Sequence, residues 1–262
     1  MRNRGKDTPP LFGTRNSRKF GVVSPAASPP PPPPPPPAKG PQPAPRTPPR
    51  QSLYPTRSAA GATLGALLAS QGYVSCLLLG VTPEGVEIAA NAAKAMGASF
   101  DVIVSAFIRL GSNLAPIGAL AETDTSTEMD PEFAPGANLI DKLGSAIEES
   151  RARVRRDLVL YRTQRPIKKF EGRQIIVVDG QVFYPWKVLA AARAVAELGG
   201  RRIAIATPVA SVTAADRVRA RQYEFICPNI LADQESPPAL YGDATGDSPE
   251  RLKSIMIAHQ AA

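Results

Sequence analysis

Three short stretches hold the residues whose types and spacing could do chemistry. "IIVVDGQVFYPWK" at 175–187 places Asp179 and Gly180 at the end of an apolar run, with Lys187 where a helical pattern begins. "GVTPEG" at 80–85 carries Glu84 and Gly85, and "FIRLGSNLAPIG" at 107–118 carries Arg109. A carboxylate at such a junction can accept hydrogen bonds from sugar hydroxyls. Backbone N–H groups at a helix start, helped by Lys or Arg, can hold a phosphate. The chemistry on offer at such a junction is the binding of a phosphate. One stretch cuts against it. Gln181, Val182, Phe183, Tyr184, Pro185 and Trp186 stand where small residues would leave the backbone open. Pro185 has no N–H to donate.

Composition removes other chemistries. The one histidine, His259, excludes a Ser-His-Asp triad and His-based metal sites. The two cysteines, Cys76 and Cys227, lie in apolar runs with nothing basic beside them, which reads as core packing in a reducing compartment. No apolar run approaches the ~20 residues that span a bilayer. The N-terminus has basic residues but no apolar segment of a secretory signal, so the expected location is cytoplasmic.

Two regions of different composition follow from the charge and proline counts. Residues 1–57 hold ten Lys and Arg and one acid, Asp7, out of 31 and 23 in the chain. That leaves 21 basic against 22 acidic residues for 58–262, so the net charge of +8 belongs to the tail and the folded part has no electrostatic case for nucleic acid. Seventeen of 29 prolines fall within 1–50, nine of them consecutive from Pro29 to Pro37. Proline lacks an N–H and fixes φ, so 1–57 reads as a disordered basic arm, with a polyproline II rod of roughly 3.1 Å per residue inside it. It is expected to serve as a spacer, as a docking segment for a proline-binding protein partner, or as a basic tether to nucleic acid or anionic lipid.

From Ser58 the pattern alternates between apolar runs and helical periodicity. Helices are expected over 58–70, 85–97, 139–161, 187–198 and 213–221, and strands over 73–79, 100–107, 174–179, 202–209 and 223–227. Residues 108–138 read as irregular. Strands apolar throughout are buried on both faces, which predicts an α/β domain with a parallel sheet covered by helices over 58–262. In such sheets ligands bind beyond the carboxyl ends of the strands, where the three stretches lie.

The three loops, in this order, resemble those of the phosphoribosyltransferase family (type I fold). "IIVVDG…KVLAAARAVAELGGRRIAIATPVAS" at 175–211 follows the family's strand, acid, loop, helix and next strand. "GVEIAANAAKAMGASFDVIV" at 85–104, "IGALAE" at 117–122, "RRDLVLYR" at 155–162 and "YGDATGDSPE" at 241–250 extend the likeness over roughly 58–250. The resemblance implies a three-layer fold, a phosphorylated nucleotide or sugar as ligand, and Mg²⁺-dependent transfer of a ribose phosphate from phosphoribosyl pyrophosphate. It matches Asp179 to the first of two acids and Gly180 to the missing second. Gln181 to Pro185 fall on the phosphate-loop positions, and Glu84 and Gly85 on the pyrophosphate loop. Arg109 falls on a basic position after the second strand, and Lys187 lies at the loop exit, within reach of an anion.

The departures lead to the expected function: a phosphoribosyltransferase-fold domain, divergent or non-catalytic, acting in ligand binding, regulation or assembly. Two alternatives stand beside it. One is an active transferase or hydrolase using Asp179, Arg109 and the backbone near Gly85 around Mg²⁺, which is expected only in that case. The other is a scaffold acting through the arm. Plainer readings also apply. Asp179 is a turn residue, Arg109 sits in a surface ion pair, and the arginines of "RARVRR" at 151–156 pair with Glu148 and Glu149 on a solvated face. The aromatic rings either pack down as a lid or stand around a pocket for a planar ligand.

Overall fold

Continuous apolar runs build the centre of the molecule. The computed structural model describes residues 52–259, apart from 124, 137–138, 163–166, 168–169, 171, 234–238 and 244–247. The proline-rich segment lies, up to residue 51, outside the described residues. Strands β1 (Cys76–Val81), β2 (Ser99–Ile103), β6 (Gln174–Val178), β7 (Ile203–Ala206) and β9 (Glu224–Ile226) form one parallel sheet in the order β2-β1-β6-β7-β9. Its side chains alternate between two apolar layers. Leu78, Ile176 and Ala204 face one layer; Leu77, Leu79, Ile175, Val177 and Ile205 face the other. Both faces are therefore stabilised by apolar contact, each fully buried Leu or Ile contributing about 1.5–3 kcal/mol.

Helices α1 (Arg57–Ser70) and α2 (Gly85–Met96) cover the first face, and α4 (Trp186–Glu197) and α5 (Val212–Ala220) the second. This is the parallel-sheet, three-layer architecture expected from the sequence. The N-caps are chemical ones where Thr56 accepts from Ala59 N–H and Ser211 from Ala214 N–H. Tyr54, within the segment read as arm, is buried, and its N–H donates to the Leu240 carbonyl at 2.9 Å.

The run expected as one strand over 100–107 divides after Ile103. Its second half, β3 (Ser105–Ile108), leaves the main sheet and pairs antiparallel with β4 (Gly118–Ala121), which pairs with β5 (Thr127–Met129). So 108–138 is not wholly irregular; its strands are only three or four residues long, too short for periodicity to show. Helix α3 (Ile140–Arg162) packs on this small sheet, with Ser150 Oγ donating to the Phe107 carbonyl at 2.9 Å. The run at 202–209 also divides, at Thr207 and Pro208, where proline removes a ladder donor. Beyond it β8 (Val209–Ser211) pairs with β10 (Asn229–Leu231). Helix α6 (Pro249–Ala258) was not expected, although Ser248 as N-cap and Pro249 in the first turn are the signals that announce a helix start.

Candidate functional site

β1 and β6 are neighbours in register, Gly80 opposite Val178, so the loops at their carboxyl ends touch. The contact is close enough to require glycine. A Cβ on Gly85 would stand 2.2 Å from the Val178 carbonyl oxygen. One on Gly180 would meet the Glu84 carbonyl oxygen at 3.0 Å and the Glu84 Cβ at 3.2 Å. The two positions thus constrain each other. Glu84 in the first loop leaves little room for the acid that the resemblance would place at 180.

Lys187, in the first turn of α4, points into this junction. Its Nζ donates to Glu84 Oε2 at 2.6 Å and lies 3.5 Å from Asp179 Oδ2. It also sits 5.2 Å from the centre of the Phe107 ring. Lys187 and Asp179 are buried, while the Glu84 side chain keeps about a third of its surface, 35%. Burial pushes the Asp179 carboxyl up, to about 6, with Lys187 opposing and Glu84 adding to the rise. Burial would lower the Lys187 ammonium, but Asp179 and Glu84 outweigh it and hold the proton on. Burial would likewise raise Glu84, but the charge and hydrogen bond of Lys187, with a backbone hydrogen bond and the Arg57 charge, together hold it low. The sum is an internal cation clasped by two carboxylates. Lys187 is not turned toward an incoming anion.

The backbone of the following loop is also engaged. Gly180 N–H donates to Asp179 Oδ1 at 2.8 Å. Val182 N–H donates to the Val209 carbonyl at 2.9 Å, and the Val182 carbonyl accepts from Ser211 N–H at 3.2 Å. With Pro185 lacking an N–H, three positions of the loop have nothing to offer a phosphate. The Tyr241 hydroxyl donates to the Gly180 carbonyl, and burial, then the Asp179 charge, raises its pKa so that the proton stays on. Gln181 is exposed and lines, with Arg57, Glu84, Gly180, Tyr241 and Asp243, a cleft of about 310 Å³.

The aromatic rings do not act as one set, although all three border one cleft. Trp186 goes down into the apolar layer under α4, with the Arg217 guanidinium 5.1 Å from its ring centre. Phe183 packs half-buried against the opposite layer. Tyr184 stays 45% exposed and meets Phe107 edge-on at 6.4 Å. Arg109 stacks on Phe107 at 5.0 Å and donates to the Leu114 carbonyl at 2.7 Å, so it fastens its own loop. Sequence reasoning missed Tyr54, Arg57, Tyr241 and Asp243 as neighbours of this junction; the "YGD" at 241–243 was the available signal.

The other expectations fall as follows. Arg151 pairs with Glu148 and Arg153 with Glu149, as a solvated helix face requires. Cys76 and Cys227 form no disulfide, and burial raises both thiols, Cys227 to about 11, so neither is a thiolate nucleophile. Among the described residues no group of three or more His, Cys, Asp and Glu could hold a metal ion, and no helix is long and apolar enough to cross a membrane.

The sequence matches no protein-family model, and no curated protein matches it. Among solved structures the chain is similar to TT1426 from Thermus thermophilus, at 27% identity and a TM-score of 0.63, over 78% of this chain and 98% of that one. It is more loosely similar to orotate phosphoribosyltransferase from Mycobacterium tuberculosis, at 17% identity and a TM-score of 0.38, over 67% and 71% of the two chains. Adenine phosphoribosyltransferase from Thermoanaerobacter pseudethanolicus follows at 16% identity and a TM-score of 0.39, over 66% and 78%. The three-layer α/β fold with a parallel sheet expected from the sequence is the fold of this chain, and it is the fold of TT1426.

Proposed function

We propose that this chain is a phosphoribosyltransferase-fold domain that has given up ordinary phosphoribosyl transfer and works by binding, in regulation or assembly. The observation that carries the reading is Lys187, whose ammonium fills the space between Asp179 and Glu84. In a transfer of this kind, positioning and electrostatic stabilisation supply most of the rate. Both need the carboxylates and the phosphate cradle free for the donor. Here Asp179 holds Lys187 and Gly180 N–H, and Val182 N–H holds Val209. Mg²⁺ does not fit these residues well, because the two carboxylates that would face it already share a cation.

The basic proline-rich segment then belongs to the binding role, alongside a folded domain that already includes Tyr54 and Arg57. The two free thiols suit a reducing compartment such as the cytoplasm. Turnover decides the point. Incubation with phosphoribosyl pyrophosphate, Mg²⁺ and a panel of nucleobase acceptors is expected to release no pyrophosphate above the uncatalysed rate. Release that disappears in Asp179→Ala would restore the enzyme reading.

A further inference from the structure

On the far side of the remodelled loop lies a second cleft, of about 310 Å³, separate from the one beside Gln181. Pro116, Phe183, Tyr184 and Trp186 give it an aromatic and proline-rich wall, and Asp130 and Asp233 stand at it as acids. The Trp186 ring is almost wholly buried and its Nε1 has no hydrogen-bond partner among the described residues. Tyr184, by contrast, stands 45% exposed. A half-exposed aromatic ring at the mouth of a cleft is the type of side chain that receives a ligand.

Charge narrows the ligand. Arg217 at the cleft lies 3.2 Å from Asp130 and 2.9 Å from Glu132. Asp233 accepts from Thr213 Oγ1 at 2.7 Å, and that hydrogen bond keeps it ionised. Asp130 and Asp233 line the cleft with Arg217 as its one cation, and Glu132 reaches that arginine from beside it, so carboxylates outnumber the guanidinium and the rim is acidic. An aromatic wall with an acidic rim suits a polyproline II segment that carries basic residues. Such a segment is extended before it binds, so little conformational entropy is lost, and its prolines pack between rings. This sequence contains that chemistry: nine prolines at 29–37, then Lys39, Arg46 and Arg50 among further prolines.

We propose that the cleft at Tyr184 takes the proline-rich segment 29–50 of a second copy of this chain. Reciprocal exchange between two copies makes two identical contacts, which closes a symmetric dimer and multiplies two modest affinities. The inference rests on the assembly part of the reading above and gives it a partner. It uses neither Lys187 nor Asp179.

The test uses the full chain in sedimentation velocity, from low to high micromolar concentration. A reversible dimer is expected. Tyr184→Ala is expected to weaken it roughly tenfold or more, as loss of an aromatic anchor does, and Tyr184→Phe to keep it. Changing the run from Pro29→Ser through Pro37→Ser is expected to leave monomer. A synthetic peptide of residues 29–50 is expected to compete and to shift the emission of Trp186, the one tryptophan of the chain. A wild-type chain that stays monomeric overturns the proposal, and so does an association unmoved by both the Tyr184→Ala and the proline changes. Either failure leaves the donor-site reading standing, because that reading is tested by turnover.

Discussion

Two cations in this molecule, the buried Lys187 and the mostly covered Arg162, are each held by two carboxylates, and they do different work. Arg162, at the end of α3, lies 3.2 Å from Asp101 and 3.5 Å from Glu122, and also donates to the Val102 carbonyl. Glu122 in turn accepts from Val104 N–H at 3.0 Å. That cluster joins α3, β2 and the end of β4, using the planar fork of arginine to reach several acceptors at once. Lys187 is a point charge held by side-chain carboxylates, and it sits at the carboxyl ends of β1 and β6. The first cluster stitches elements together. The second neutralises a junction that in this architecture is otherwise the place for a ligand.

Breaking each cluster at its cation separates the two roles. Arg162→Met removes the guanidinium beside the fully buried Asp101, and the expected loss is about 3–5 kcal/mol in urea unfolding, as for other broken buried pairs. Lys187→Met is expected to cost somewhat less, about 2–4 kcal/mol at neutral pH, because Glu84 can turn to water. Its cost should shrink toward pH 5. Asp179, pushed up to about 6, can take a proton there and no longer needs a cation. A Lys187→Met penalty equal at both pH values would show that Asp179 is not the group left stranded.

A smaller effect follows from the sign of that shift. A carboxyl whose folded pKa lies above its unfolded value near 3.9 binds more protons folded than unfolded between those values. Its contribution to stability is therefore most favourable at low pH and declines as pH rises from about 4 to 6. Asp179→Asn is expected to remove that decline, seen as a flatter plot of unfolding free energy against pH across this window. A slope unchanged by the substitution would mean that other groups produce it. Smallest of all, Tyr184→Ala is expected to change stability by no more than about 0.5 kcal/mol, since the ring is half in solvent. A larger loss would mark it as a packing residue rather than a contact for a partner.

The sheet was readable from sequence because its strands are apolar on both faces, as "CLLLGV" and "QIIVV" are, and such runs have few other places to go. The small antiparallel sheet was not. β4 and β5 are too short for a period to register, and nothing local in "FDVIVSAF" marks where the chain changes sheets. At the site, Asp179, Glu84 and Gly85 could be placed at one end of the sheet because each follows a strand. Their mutual arrangement could not be. Lys187 and Glu84 are 103 positions apart, and their bond depends on the register of β1 against β6. The aromatic loop read as one unit only in sequence. In space the chain turns at each residue, so Trp186, Phe183 and Tyr184 point to two apolar layers and to solvent.

On the proposed function, Lys187 takes the place of the donor's partners. Calorimetric titration of the full chain with phosphoribosyl pyrophosphate and Mg²⁺ tests it directly. The expected result is no saturable heat in the micromolar range, for the wild type and for Asp179→Ala alike. Micromolar binding by the wild type that vanishes in Asp179→Ala would contradict the claim, since it would require Asp179 to leave Lys187 for the donor.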